Sequence, residues 1–313
     1  MLSISTFLLA IVSPLLYAAT NHIDNILLGR YFREGGVGTL MLFSALLSRL
    51  AASIFYLSDP TVLRTDLQNM LILAVVGVVN VILLWCYLQA IFEDEPTVVI
   101  IYYQLVPVLG LAMGYGILGE TIAQLQVVAM TIIIIGALIL TVAQDDTGRI
   151  KFQFRTAVYM LVASTCWALE STLFKLVALE ENVWRSLFWE HVVLFCLGLL
   201  LLAFVPVYRQ SFVKALRVNS APILTLNLTN EGLFMLANTV AAYVVLLIPV
   251  ALTLLMNLFQ PLFVLVLGLL LTRAFPNLGV EHINKRNMLQ KVIAIVLTAI
   301  GTFLLGDWAT QVM

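Results

Sequence analysis

The sequence predicts an all-α polytopic membrane protein, with about ten transmembrane helices arranged as two inverted five-helix repeats. Three observations carry this prediction: a composition too apolar for water, a succession of long apolar runs, and matched landmarks in the two halves of the chain. Of the 313 residues, 62% are hydrophobic and only 11% are charged. An ordinary soluble domain carries about 25% charged residues. A fold with less than half that share cannot clothe its surface for water, so its solvent is largely lipid. The net charge of −1 gives no electrostatic case for a nucleic-acid partner. Cys86, Cys166 and Cys196 each lie inside an apolar run, which argues against a disulfide framework and against a thiolate metal cluster.

A helix needs roughly 20 mainly apolar residues to cross the hydrocarbon. Stretches at approximately 3–21, 37–57, 69–91, 97–118, 122–143, 156–178, 186–206, 222–247, 250–272 and 288–306 meet that requirement. The runs are continuous and show no period-two alternation, which selects helices over barrel strands. The first run ends at Asn21-His22-Ile23-Asp24, unlike a small-residue cleavage site, and is expected to be a span rather than a signal peptide. The connections are short and carry charge or turn formers. The longest polar interruption, Gln144-Asp145-Asp146-Thr147-Gly148-Arg149, falls near the middle of the chain. The expected organisation is a first five-helix repeat over residues 1–144, a central loop over 145–155 and a second repeat over 156–313.

The halves share landmarks in the same order. Tyr17-Ala18 in the first answers to Trp167-Ala168 in the second, and Gln104-Leu105-Val106-Pro107 answers to Leu258-Phe259-Gln260-Pro261. Leu125-Gln126 followed by Gly136-Ala137-Leu138 answers to Leu289-Gln290 followed by Gly301-Thr302-Phe303. Five is an odd number of crossings, so the second copy is expected upside down relative to the first.

The run from Ala90 through Pro107 to Leu118-Gly119-Glu120, then Gln126 and Gly136-Ala137-Leu138, resembles the EamA-type domain of the drug/metabolite transporter superfamily. The resemblance implies halves that each close with a Pro-containing helix, a tight Gly-Glu turn and a Gly-bearing last helix. The second half departs from this pattern, with Thr272-Arg273-Ala274 in place of Gly-Glu and an insertion from Phe275 to Asn287. Orientation receives two opposed arguments. Arg30, Arg33, Arg149, Lys151, Arg155, Arg209, Lys214, Arg217, Arg273, Lys285, Arg286 and Lys291 fall on one side, against Arg64 and Arg185 on the other. That bias places both termini outside the cytoplasm, whereas the resemblance implies cytoplasmic termini.

An ionisable group at mid-bilayer costs about 2.5–3.5 kcal/mol even on insertion scales, so it is expected to face the bundle interior or a wet cavity. Arg49, Glu170, Lys175 and Glu231 lie within apolar runs, Glu190 and His191 lie just inside the seventh, and Asp24 lies at the edge of the first beside Asn21 and His22. Glu170 and Glu231 lie deepest in their runs. Desolvation makes a buried carboxylate able to exchange protons near neutral pH, as proton-coupled antiport requires; the alternative is a structural ion pair with Arg49. Arg49 itself reads either as that counter-ion or as an anchor for an anionic substrate. Lys175 reads as a snorkelling side chain, and His191 as a hydrogen-bonded histidine or a relay member.

Among the amides Asn80, Gln104, Asn227, Asn230, Asn238, Asn257 and Gln260, most are expected to bridge helices. Glu231 and Asn238 align to within about 20° on their helix, whereas Glu231 stands about 100° from Asn230, so the three are not expected on one face. Asn230, Gln104 and Gln260 remain secondary candidates. Pro107 and Pro261 are expected to break helices at matching positions, the best sequence pointer to a midplane site, with packing kinks as the alternative. Tyr17, Tyr102, Tyr103 and Trp167 read as cavity wall or interfacial belt, and Gly110 with Gly114 as a close helix crossing.

The function expected is secondary transport of a small organic metabolite or drug-like solute by alternating access, coupled to protons through buried Glu. A non-transporting sensor or assembly subunit is the alternative. An intramembrane enzyme is disfavoured, because no His-Glu-x-x-His, paired histidines or Gly-x-Ser-x-Gly is present. The absence of a nucleotide-binding loop argues against ATP-driven transport within this chain. No catalytic residue, metal or cofactor is expected. The expected partners are a small-molecule substrate and the lipid bilayer, with a homodimer left open, and the expected location is the cell (inner) membrane.

Overall fold

The computed structural model describes residues 4–32, 36–118, 124–139, 142–144, 150–180, 183–218, 220–247, 259–275 and 285–311. Among these, helix dominates. Helix α1 (Ile4–Ile26) runs into a π-helical turn, Leu27–Tyr31. Next come α2 (Gly36–Ser58), α3 (Leu67–Glu93), α4 (Pro96–Tyr102), α5 (Leu105–Leu118) and α6 (Gln124–Ile139). A two-stranded antiparallel hairpin pairs β1 (Val142–Gln144), just before the polar stretch 145–149, with β2 (Ile150–Phe152), just after it. The second half holds α7 (Phe154–Glu180), α8 (Val183–Phe204), α9 (Pro206–Val218), α10 (Ser220–Leu247), α11 (Phe259–Ala274) and α12 (Lys285–Gln311). Among the described residues, four segments, Gly36–Ser58, Leu67–Glu93, Pro96–Met113 and Trp184–Phe204, are long and apolar enough to cross a membrane, and shorter apolar helices accompany them.

Local chemistry sets the ends. The Asp66 carboxylate accepts from the Gln68 amide at 3.0 Å and starts α3. The Asp59 side chain caps a 3₁₀ turn, Pro60–Leu63, and its bonds from Thr61 hold that exposed carboxyl below its ordinary range. Pro96 opens α4 at the first helical position, where a missing N–H costs nothing. Ahead of Pro107, α4 stops at Tyr102, and a turn through Tyr103 and Gln104 leads into α5. Pro107 then stands third in α5, where it removes no intrahelical bond. Pro261 likewise stands third in α11, but residues 248–258 before it, with Asn257, lie outside the described residues.

Helix α9 was not expected from the apolar runs, being too short and too polar to cross. It lies in contact with α2, α8 and α10. Phe212 and Leu216 pack on the core, while Val207 and Val218 are exposed. Gly38 admits the Tyr208 ring so closely that an added Cβ would lie 2.2 Å from it.

The principal helix pairings are α3 with α7, α6 with α12, α2 with α8, α1 with α10, α1 with α11, α5 with α7, and α3 with α8. Two matched glycines make the α6–α12 crossing: Gly136 lies against Thr298, and Gly301 lies against Ile133 and the Ala129 carbonyl. The crossing expected at Gly110 is absent, since nothing lies within 4 Å of where its Cβ would be; nothing is described of the surroundings of Gly114. Along one end, Arg155 pairs with Glu93 at 3.4 Å, Lys291 pairs with Glu95, and Gln153 and Thr156 donate to Asp94. Large apolar side chains such as Leu57, Leu71, Leu138 and Phe204 face outward, as a lipid-solvated surface requires.

Candidate functional site

Asparagine and carboxylate side chains from α1, α3, α7, α8 and α10 meet in one internal chamber of about 180 Å³. It is smaller than the roughly 300–1,000 Å³ typical of drug-sized sites, so it suits a small solute. Its wall includes four carboxyl groups, Asp24, Glu170, Glu190 and Glu231, and no lysine or arginine among the described lining residues.

The carboxyls form two groups. At one, the Asn230 amide donates to Asp24 Oδ1 at 2.7 Å and the Tyr87 hydroxyl donates to Asp24 Oδ2 at 2.9 Å. Glu231, on the same helix as Asn230, is hydrogen-bonded by Ser44 and feels the charge of Asp24. At the other, the Asn80 amide donates to Glu170 Oε1 at 3.2 Å and to Glu190 Oε1 at 3.3 Å, and the two glutamates interact electrostatically. The polar wall continues from Tyr87 through Asn21, whose amide donates to the Tyr87 hydroxyl at 2.7 Å, to Gln260, which donates to Asn21 at 3.2 Å. The Tyr17 hydroxyl donates to Asn238 Oδ1. Aromatic rings cover the rest: Tyr103 sits edge-on to Trp167 at 4.7 Å, and Tyr17 meets Phe234 at 5.7 Å.

Of the residues singled out from sequence, Glu170, Glu231, Asn230, Asn238 and Gln260 all reach this wall, with Tyr17, Tyr103 and Trp167. The expectation that Asn230, Glu231 and Asn238 could not share a face is corrected, because a chamber wall accepts their arc of about 100°. Gln104 is buried but does not line the chamber, nor do Pro107 and Pro261, nor Tyr102. Arg49 is a correction. It lies exposed on α2, its guanidinium 5.7 Å from the Phe195 ring, and is not brought to the carboxyls as counter-ion or anchor. Nothing is described of the Lys175 side chain.

His191 lines the chamber, with Nδ1 2.8 Å from the Leu187 carbonyl of its own helix. His22 instead points to the Val264 carbonyl at 2.8 Å and stays out of the wall. Asp24, Asn21, Glu190 and Asn80 stand out in the sequence as polar groups in or beside apolar runs without being site candidates, and Tyr87 carries no such signal. Asn21 and Asp24, three apart on a helix, already signal a shared polar face.

The fold and chamber define a class: an integral, multi-pass helical membrane protein with a polar, acidic cavity among its helices. Residues 4–142 match the model of the EamA-like transporter family, so the first part of the chain is similar to that family of membrane transporters. A solved structure, described only as the crystal structure of a protein, is similar over 98% of each chain, with a TM-score of 0.53 and 14% identity, and speaks for the fold alone. No curated protein matches the sequence.

Proposed function

We propose that the protein is a secondary transporter that moves a small organic solute by alternating access, with protons exchanged at Glu231 and Glu170. It is built as two inverted five-helix repeats, over residues 1–144 and 156–313 about a central loop at 145–155, and resides in the cell membrane. Helix pairing supports the repeat. Exchanging the halves turns the α1–α10 contact into α7–α3 and the α1–α11 contact into α7–α5, while α2–α8 and α6–α12 map onto themselves. A pseudo-two-fold pattern of this kind supplies two nearly equivalent packings between which one site can open to either side.

The observation that carries the reading is the acidic chamber itself. Burying carboxyls in hydrocarbon is costly, and cations or protons taken from solution relieve that cost where no lysine or arginine is among the described lining residues. A sensor or assembly subunit would be served better by a filled interior, with its acids sealed against bases. The test is uptake by purified protein in liposomes under an imposed pH gradient. Uptake that collapses with a proton ionophore and is abolished by Glu231→Gln is the expected result. Uptake indifferent to both would overturn proton coupling, and no uptake of any solute in a broad panel would overturn transport.

A further inference from the structure

We propose that the cargo is a linear organic dication, a short α,ω-diamine, held with one ammonium at Asp24 and Glu231 and the other at Glu170 and Glu190. This deepens the transport reading and rests on it. The four carboxyls are not one cluster. Asp24 interacts with Glu231, and Glu170 with Glu190, each pair ordered by its own asparagine, Asn230 or Asn80. No group of three or more His, Cys, Asp or Glu among the described residues is arranged to hold a metal ion. The acids therefore present two separated anionic ends rather than one coordination point, and a cation that satisfies both must be extended.

Acceptor geometry favours ammonium at those ends. An alkylammonium offers three N–H donors and accepts nothing. The first end offers two carboxylates and Asn230 Oδ1, an acceptor that has no hydrogen-bond partner although Asn230 is only 4% exposed and belongs to the chamber wall. An anionic cargo would be repelled by those carboxylates, and a neutral one could donate to them without offsetting their charge. Between the ends, Tyr103 interacts with both Glu170 and Asp24 and packs against Trp167. Aromatic faces there can cover methylenes and attract the flanking cations. The pseudo-symmetry explains why there are two ends: the same sequence interval separates Asn80 from Asn230 as separates Tyr17 from Trp167. Each asparagine binds a carboxylate on the first helix of the opposite half, Glu170 on α7 and Asp24 on α1. Duplication has thus produced a doubled anion site, matched by a doubled cation.

The test is thermal unfolding of the purified full-length protein with diaminobutane, butylamine or butanediol, alongside liposome uptake of labelled diaminobutane and of a panel of non-amine solutes. Diaminobutane is expected to raise the unfolding temperature at concentrations where butylamine and butanediol do not. Glu170→Gln and Glu231→Gln should each weaken diaminobutane at least tenfold, toward the affinity for butylamine. Glu190→Gln tests the second end if Glu170→Gln does not fold. Equal stabilisation by butylamine, no stabilisation by any amine, or diamine affinity unchanged in the glutamine variants would each overturn the dication. Ionophore-sensitive uptake of a non-amine solute without diamine binding would discard the dication and leave the transport reading standing. Diamine binding without uptake of any solute would overturn the transport reading and, with it, the dication's role as cargo.

Discussion

Tyr87 offers a sharp test of the chamber's hydrogen-bond order, because its hydroxyl is a relay. It receives the Asn21 amide at 2.7 Å and donates to Asp24 at 2.9 Å. Tyr87→Phe keeps the ring against Tyr103, 5.8 Å away, and deletes one oxygen. A buried hydrogen bond contributes about 0.5–1.5 kcal/mol between neutral groups and about 1.5–3 kcal/mol to a charged one. Losing both should cost about 2–4 kcal/mol, which lowers the unfolding midpoint by roughly 3–6 °C for a chain of this length. The informative measurement is a double-mutant cycle with Asp24→Asn, followed by equilibrium unfolding of the four proteins in detergent micelles. Once Asp24 is changed, Tyr87→Phe has less to lose, so a coupling energy of about 1–3 kcal/mol is expected. Additivity to within about 0.5 kcal/mol would mean that the hydroxyl does not serve Asp24, and the described order of the first carboxylate group would be wrong.

Two further perturbations probe the frame that holds the chamber. Lys291 is nearly enclosed and pairs with Glu95; removing one partner of a buried pair costs about 3–5 kcal/mol, whereas replacing both costs far less. Lys291→Met should therefore lower the unfolding temperature markedly, and adding Glu95→Gln should recover much of the loss, as thermal melts of both variants would report. Gly301→Ala would set a Cβ 2.9 Å from the Ala129 carbonyl and 2.5 Å from Ile133, an overpacking cost of about 1–3 kcal/mol. Gly110→Ala meets open space and should be neutral or slightly stabilising, so comparing the two melts isolates the α6–α12 crossing.

Much of the frame was legible because membrane insertion leaves a length-and-polarity signature in sequence. Expected runs at 37–57 and 69–91 became Gly36–Ser58 and Leu67–Glu93. Gly136 and Gly301, matched landmarks in the sequence, face each other's helices. Where hydropathy is the wrong measure, legibility failed. Helix α9 carries Arg209, Lys214 and Arg217 and crosses nothing, so a search for long apolar runs passes over it. The strands of the central hairpin are only three residues each, and their pairing is decided between the halves rather than within a run.

The chamber was half legible, and the reason lies in what sequence depth measures. Position within an apolar run gives a residue's height along the bilayer normal and not the direction it faces. Arg49 and Glu170 both lie well inside their runs, but packing turns Arg49 outward beside Phe195 and Glu170 inward to Asn80. Asp24 shows the converse error. It sat at the end of an apolar run by composition, yet α1 continues past it through Ile26 into the π-helical turn, leaving it 8% exposed between Tyr87 and Asn230. Polar neighbours shortened the apparent span because they are the chamber wall: the residues that make the first helix useful are the ones that disguise its length. A membrane protein with a wet interior hides its site from hydropathy for this reason. The better sequence signal is a polar residue repeated at helical spacing, such as Asn21 with Asp24, on a helix whose remaining faces stay apolar.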